Sequence, residues 1–129
     1  MPYLADTVTV IRHFSRQGKL GAKAKSILEA VDANRDKLFI SFFSFFEIMY
    51  SFEKNRIDLS PEDVYHRIIK SSNYKVVPFD MDIVKQAKKT HGLELHDRII
   101  VASALSLNLP LITCDQSIME SGIIETIWT

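Results

Sequence analysis

Leu95-His96-Asp97-Arg98-Ile99-Ile100-Val101-Ala102-Ser103-Ala104, followed after four residues by Leu109-Pro110-Leu111-Ile112-Thr113-Cys114-Asp115, decides the fold. The first stretch, continued to about Leu107, is the clearest helical pattern in the chain, with Ile99, Ile100, Ala102, Ala104 and Leu105 as its apolar positions. In the second, Leu111-Ile112-Thr113 is too short for a helix and reads as a buried strand. A helix leading directly into a short apolar strand is one step of an alternating α/β chain.

The alternation continues outward from this stretch. Tyr3-Leu4-Ala5 predicts a first strand ending at Asp6-Thr7, and Val10, Ile11 and Phe14 then fall at helical spacing. A second helix is expected from Ala22 to about Ala33, with Ala24, Ile27, Leu28 and Val31 on one face. Leu38-Phe39-Ile40 predicts the second strand, closed by Ser41. Ser44 and Glu47 have capping-box spacing inside an apolar run, which predicts a helix from about Ser44 to Lys54 with Glu47 in its first turn. Ser60-Pro61-Glu62-Asp63 is a stronger start: a cap, a proline at the first helical position and acids in the first turn. That helix is expected to reach about Ser71. Lys75-Val76-Val77 predicts the third strand, and Asp80 caps a helix carrying Ile83, Val84 and Ala87 that Gly92 ends. A short turn or helix from Gln116 to Glu120 and a last strand from Ile124 to Trp128 complete the chain. The expected class is α/β: a three-layer α/β/α sandwich around a central, mostly parallel sheet.

Composition narrows the possibilities. The 129 residues are 47% hydrophobic and suit a single domain spanning 1–129. Sixteen Lys and Arg balance sixteen Asp and Glu, which excludes both a disordered chain and a generally basic nucleic-acid coat. A single cysteine, Cys114, excludes an internal disulfide framework and a cysteine-rich zinc site. The longest apolar stretch, Leu38 to Tyr50, is too short to span a membrane and contains Glu47. The start of the chain lacks the basic and apolar regions of a signal peptide, so a cytoplasmic location is expected.

Four acids stand out by position. Asp6 follows the first strand, Asp115 follows the fourth, Glu47 lies in the helix after the second, and Asp97 lies in the first turn of the long helix. Strand C-terminal ends of an open parallel sheet share one edge, and ligands bind in the crevice there. Three of these acids should therefore meet, and Asp97 joins them if its helix starts at that edge. Each also has a purely structural role open to it: Asp6 and Asp115 as helix caps, Glu47 as a capping-box partner, Asp97 as an acid complementing a helix dipole. Gathered together, two carboxylates ~4 Å apart repel by about 4 kcal/mol at an effective dielectric of 20, so the group needs protons or cations. An oxygen-rich site of several carboxylates suits Mg²⁺ or Mn²⁺.

These residues carry a resemblance. Leu4-Ala5-Asp6-Thr7, Ile40-Ser41 followed by Glu47, and the two stretches quoted at the outset resemble, in order, the motifs of the PIN-domain ribonucleases. That family includes the VapC-type toxins of VapBC toxin–antitoxin pairs. The resemblance runs from Tyr3 to Trp128 and implies a PIN-like fold. It implies that Asp6, Glu47, Asp97 and Asp115 are metal-binding, catalytic acids, that Mg²⁺ or Mn²⁺ is the cofactor, and that RNA phosphodiesters are hydrolysed. It also implies a homodimer and an antitoxin partner. Thr7 and Thr113 are supporting candidates whose hydroxyls orient carboxylates. The chain departs from the family's usual pattern in three places: Val8 replaces a frequently polar residue, Gln116-Ser117 follow Asp115 where a further acid is common, and Glu94-Leu95 replaces Asp-Pro. These departures motivate the alternative of a catalytically weak or inactive PIN-fold module that binds RNA or protein.

Other residues read more simply. The four histidines, His13, His66, His91 and His96, show no paired metal-ligand spacing and are expected at surface or cap positions. Arg98 is expected in a structural ion pair, and Arg12 and Arg16 either steer a nucleic-acid backbone or lie on a solvated face. Most of Phe39, Phe42, Phe43, Phe45, Phe46 and Phe52 are expected in the core, with some left over for a partner surface.

Overall fold

The computed structural model describes all residues, 1–129. Strand β1 (Pro2–Ala5) leads into α1 (Thr7–Ser15) and α2 (Ala22–Asp32). Then come β2 (Lys37–Ser41), α3 (Phe42–Glu53), α4 (Pro61–Ile69), β3 (Tyr74–Val77), α5 (Met81–Ala87), α6 (Leu95–Leu107), β4 (Leu111–Ile112), α7 (Gln116–Ser121) and β5 (Thr126–Ile127). The strands form one sheet in the order β3-β2-β1-β4-β5, and every pairing is parallel.

Alternation of side chains along each strand builds the three layers. Ala5 and Ile112 face one side of the sheet and pack with Val10 and Phe14 of α1, Leu28 of α2, Ile48 of α3 and Val64 of α4. Their neighbours Leu4 and Leu111 face the other side and pack with Ile83 of α5, Ile100 and Val101 of α6, and Ile118 of α7. The α/β/α sandwich with a parallel sheet is thus observed. Helix α6 is buried at every position from Ile99 to Ala104, which explains why its apolar residues fill more than one face. No helix is long and apolar enough to cross a membrane.

Local chemistry sets the helix ends. Ser60 caps α4 through its side chain to the Asp63 N–H, with Pro61 at the first helical position. Asn108 closes α6 in the left-handed region at φ 55°. Gly21, before α2, is required by proximity: a Cβ there would stand 2.1 Å from the Trp128 carbonyl oxygen. That same oxygen accepts the Ala24 N–H at 3.1 Å, docking the start of α2 onto the end of the chain.

The structure corrects several local expectations. Helix α3 begins at Phe42, capped by Ser41, so Ser44 is a buried first-turn residue and Glu47 falls in the second turn. The capping box does not form. Helix α5 stops at Ala87, and Gly92, at φ 92°, lies in the turn beyond it. Strands β4 and β5 are shorter than expected, two residues each. None of the six phenylalanines is fully buried, and Phe42, Phe46 and Phe52 are exposed. The apolar interior under α3 is supplied by Ile48, so aromatic density here signals a face and not a core. His13 is buried, contrary to the surface placement expected: its Nε2 lies 2.8 Å from the Tyr74 hydroxyl, which donates to Asp32 at 3.1 Å. Arg98 forms no ion pair. Its Nη2 donates to the Ala87 carbonyl at 2.8 Å and its Nε to Thr90 Oγ1 at 3.3 Å, holding the end of α5 against α6.

Candidate active site

Strand order reverses between β1 and β4, since β2 and β3 extend the sheet one way from β1 while β4 and β5 extend it the other. The C-terminal ends of β1 and β4 therefore flank the crevice where open α/β sheets bind ligands. A pocket of about 130 Å³ opens there, lined by Asp6, Thr7, Glu47, His96, Asp97 and Asp115 with Val8, Ile100, Cys114 and Ile118. All four acids singled out from sequence are brought together, Asp97 included, because α6 starts at this edge.

Asp6 and Asp115 each cap a helix and face the pocket, so the structural and chemical roles are not exclusive. Asp6 Oδ1 accepts the Thr9 N–H at 2.9 Å, and Asp115 Oδ1 accepts the Ile118 N–H at 3.0 Å. Thr113 links the two: its hydroxyl donates to Asp6 Oδ2 and accepts the Asp115 N–H at 3.0 Å. Glu47 is held differently. Thr7 Oγ1 donates to Glu47 Oε1 at 2.5 Å and lies 2.8 Å from Ser44 Oγ. A threonine hydroxyl has one proton, so Ser44 is the donor in that second bond. Ser44, read from sequence as a cap, instead stands behind Thr7. The signal for it was its place one turn before Glu47.

Asp97 sits in the first turn of α6, its N–H directed at Glu94 Oε2 at 3.4 Å. His96 Nδ1 lies 3.7 Å from Glu47 Oε2 and 3.8 Å from Glu94 Oε1. Burial, then the charges of Asp115, Glu94, Asp6 and Glu47, push the Asp97 carboxyl up to about 6, with no hydrogen bond to offset them. Burial also raises Asp6, against the hydrogen bonds from Thr113 and Thr9. It raises Glu47 against the Thr7 hydrogen bond and the nearby His96. Three carboxyls are thus shifted upward in one small pocket, first by burial and then by one another's charge, and a divalent cation would favour their ionised forms. The donor set fits such an ion: carboxylate and hydroxyl oxygens, with no thiolate or imidazole cluster. As placed, the side chains line a common pocket without three of them closing on one point.

Val8 is 44% exposed at the rim and supplies no hydrogen bond where a polar residue would. Cys114 lies 3.9 Å from Arg12 Nη1, whose stronger bond is to the Lys19 carbonyl at 2.7 Å. Arg12 is thereby committed to the loop after α1.

The PIN domain family profile matches residues 3–120, and the chain belongs to that family, whose members are nucleases. Among solved structures, a toxin–antitoxin complex from Klebsiella pneumoniae is similar at 26% identity over 97% of this chain and 95% of that one, with a TM-score of 0.65. VapBC2 from Rickettsia felis, bound to a DNA fragment from its promoter, is similar at 16% identity over the whole of both chains, with a TM-score of 0.69. DNA-bound VapBC from Salmonella typhimurium is similar at 18% identity over 98% and 97%, with a TM-score of 0.66. No curated protein sequence matches the chain.

Proposed function

We propose that residues 1–129 form one catalytic unit, a divalent-metal-dependent endoribonuclease that serves as the toxin of a toxin–antitoxin pair. The observation that carries this reading is the convergence of Asp6, Glu47, Asp97 and Asp115 from four separate elements on one pocket at the switch point of the sheet. Mg²⁺ or Mn²⁺ held by these carboxylates would lower the pKa of a bound water and offset charge on the phosphate being cleaved.

The chain's own part is positioning. Thr113 fixes Asp6 and, through the backbone, Asp115; Thr7 fixes Glu47, itself backed by Ser44. Asp97 has no such bond, and its carboxyl, raised to about 6, is one whose ionised form a nearby cation would stabilise. The toxin–antitoxin neighbours support an antitoxin as partner. Exposed Phe42 and Phe52 of α3 support a homodimer or a contact with that partner. A cytoplasmic location fits the lone free cysteine.

The test is cleavage of RNA by purified protein in Mg²⁺, Mn²⁺ or EDTA, beside Asp97→Asn prepared identically. Cleavage that requires both the metal and Asp97 is expected, with loss of at least about a hundredfold in the variant. Equal cleavage by both proteins would overturn the catalytic assignment. Folded protein that binds Mn²⁺ and RNA but cleaves nothing would make it a binding module.

A further inference from the structure

A second cavity, of about 500 Å³, adjoins the carboxylate pocket and shares Glu47 and His96 with it. Its walls are Phe43, Phe46 and Tyr50 of α3, with Arg56 from the turn that follows. Phe46 and Tyr50 are 54% and 52% exposed and both line the cavity, so a ligand there can reach both rings. They stand one helical turn apart, about 6 Å along the axis. Phe43 anchors this wall from behind: its ring is 5.3 Å from His96 and stacked at 6.0 Å on Phe79. The Arg56 guanidinium lies 5.7 Å from the Tyr50 ring, and Lys54 Nζ lies 5.5 Å from it. Two cations therefore lie against the Tyr50 end of the aromatic wall.

We propose that this cavity is a nucleobase subsite: the base next to the scissile phosphate stacks on Phe46 and Tyr50, and Arg56 takes a neighbouring phosphate. The inference rests on the nuclease reading above and adds a substrate requirement to it. Aromatic faces joined to cations are how single strands are held, because every base has a π-face and every nucleotide a phosphate. A base can reach such a wall only when unstacked and unpaired, so the protein selects single-stranded segments over duplex. Continuity with the carboxylate pocket through Glu47 and His96 favours a nucleic-acid occupant, since a strand whose phosphate lies at the acids has this wall beside it.

The experiment uses the full chain and its Phe46→Leu and Tyr50→Leu variants, both exposed positions where leucine keeps bulk without a π-face. Cleavage of a single-stranded oligoribonucleotide is measured beside its duplex form. Binding is followed with 2-aminopurine at each position of the strand, on Asp97→Asn protein with and without the leucine substitutions. Stacking should quench the fluorophore at one position, and each leucine variant should lose the quench. KM should rise about fivefold to a hundredfold with kcat within twofold. Phe46→Trp should restore both, and the duplex should be the poorer substrate. Leucine variants that cleave and quench as the wild type does would overturn the subsite. So would a rise in KM that accompanies a change of oligomeric state in sedimentation, which would assign the wall to contact between copies. If the wild-type protein cleaves nothing, the nuclease reading fails separately, and the quench alone still decides whether a base binds here.

Discussion

Thr7 Oγ1 donates to Glu47 Oε1 across 2.5 Å, joining the first residue of α1 to the second turn of α3. The bond fixes a carboxylate rotamer from a neighbouring element, and Ser44 fixes the threonine in turn. Thr7→Val keeps the shape and removes the donor. Mn²⁺ affinity measured calorimetrically should fall about 10- to 100-fold, the usual effect of losing a group that orients a metal ligand. Thr7→Ser should restore most of it. Unchanged affinity in Thr7→Val would show that Glu47 needs no such support.

Asp97 has a folded pKa of about 6 against an ordinary value of 3.8, raised first by burial. Between those values the native state holds a proton that the unfolded chain has released. Its contribution to stability is therefore lost as pH rises through that window. Metal-free Asp97→Asn should consequently be the more stable protein at neutral pH. About 1 kcal/mol is expected, because Asp97 is partly exposed and solvent screens its neighbours. Thermal unfolding in EDTA reads this directly, and millimolar Mn²⁺ should narrow or reverse the difference. A variant less stable than wild type in EDTA would contradict the upward shift of Asp97.

His13 has its pKa lowered, chiefly by burial, and the opposing attraction of Asp32 does not restore it. The unfolded chain takes up a proton near the ordinary value of 6.5 and the native state does not. Stability from this site is complete above that value and declines as pH falls below it. His13→Phe should flatten the dependence of the urea midpoint on pH between about 5 and 7. An equally steep dependence in the variant would place the effect elsewhere.

Gly21→Ala should destabilise the fold by about 1–3 kcal/mol or more, since the added methyl meets backbone that cannot swing aside. The obstacle is the Trp128 carbonyl, 2.1 Å from the ideal Cβ position. Urea unfolding measures the loss, and hydrogen exchange should localise its early stage to α2 and the chain end. A midpoint equal to that of wild type would show that this junction relaxes freely.

Much of the layout was legible in the residues because it is written in local chemistry. Ser60-Pro61 and Asp80 start helices by satisfying backbone N–H groups within a few residues, and both do so here. The aromatic run after Ser41 misleads because periodicity records which residues are apolar, not how much interior lies over them. Ile48 fills the space beneath α3, and the phenylalanines are left around its rim. Ser44 misleads for a related reason: two serines, Ser41 and Ser44, compete for the cap, and the end of β2 decides between them.

By itself the sequence determined the alternation of strands and helices and set Asp6 and Asp115 at strand ends. Both follow from short-range periodicity and capping, which neighbouring residues dictate. Only the tertiary structure decided that β1 and β4 lie side by side, although more than a hundred residues separate Leu4 from its partner Leu111. That pairing brings Thr113 to Asp6, and the start of α6 at the same edge brings Asp97 to the other acids. It also decided that Glu47 is oriented from α1 and that Phe46 and Tyr50 open beside it. These relations come from the order in which strands assemble, a long-range choice made by burial of both sheet faces at once, and no stretch of local preferences encodes it.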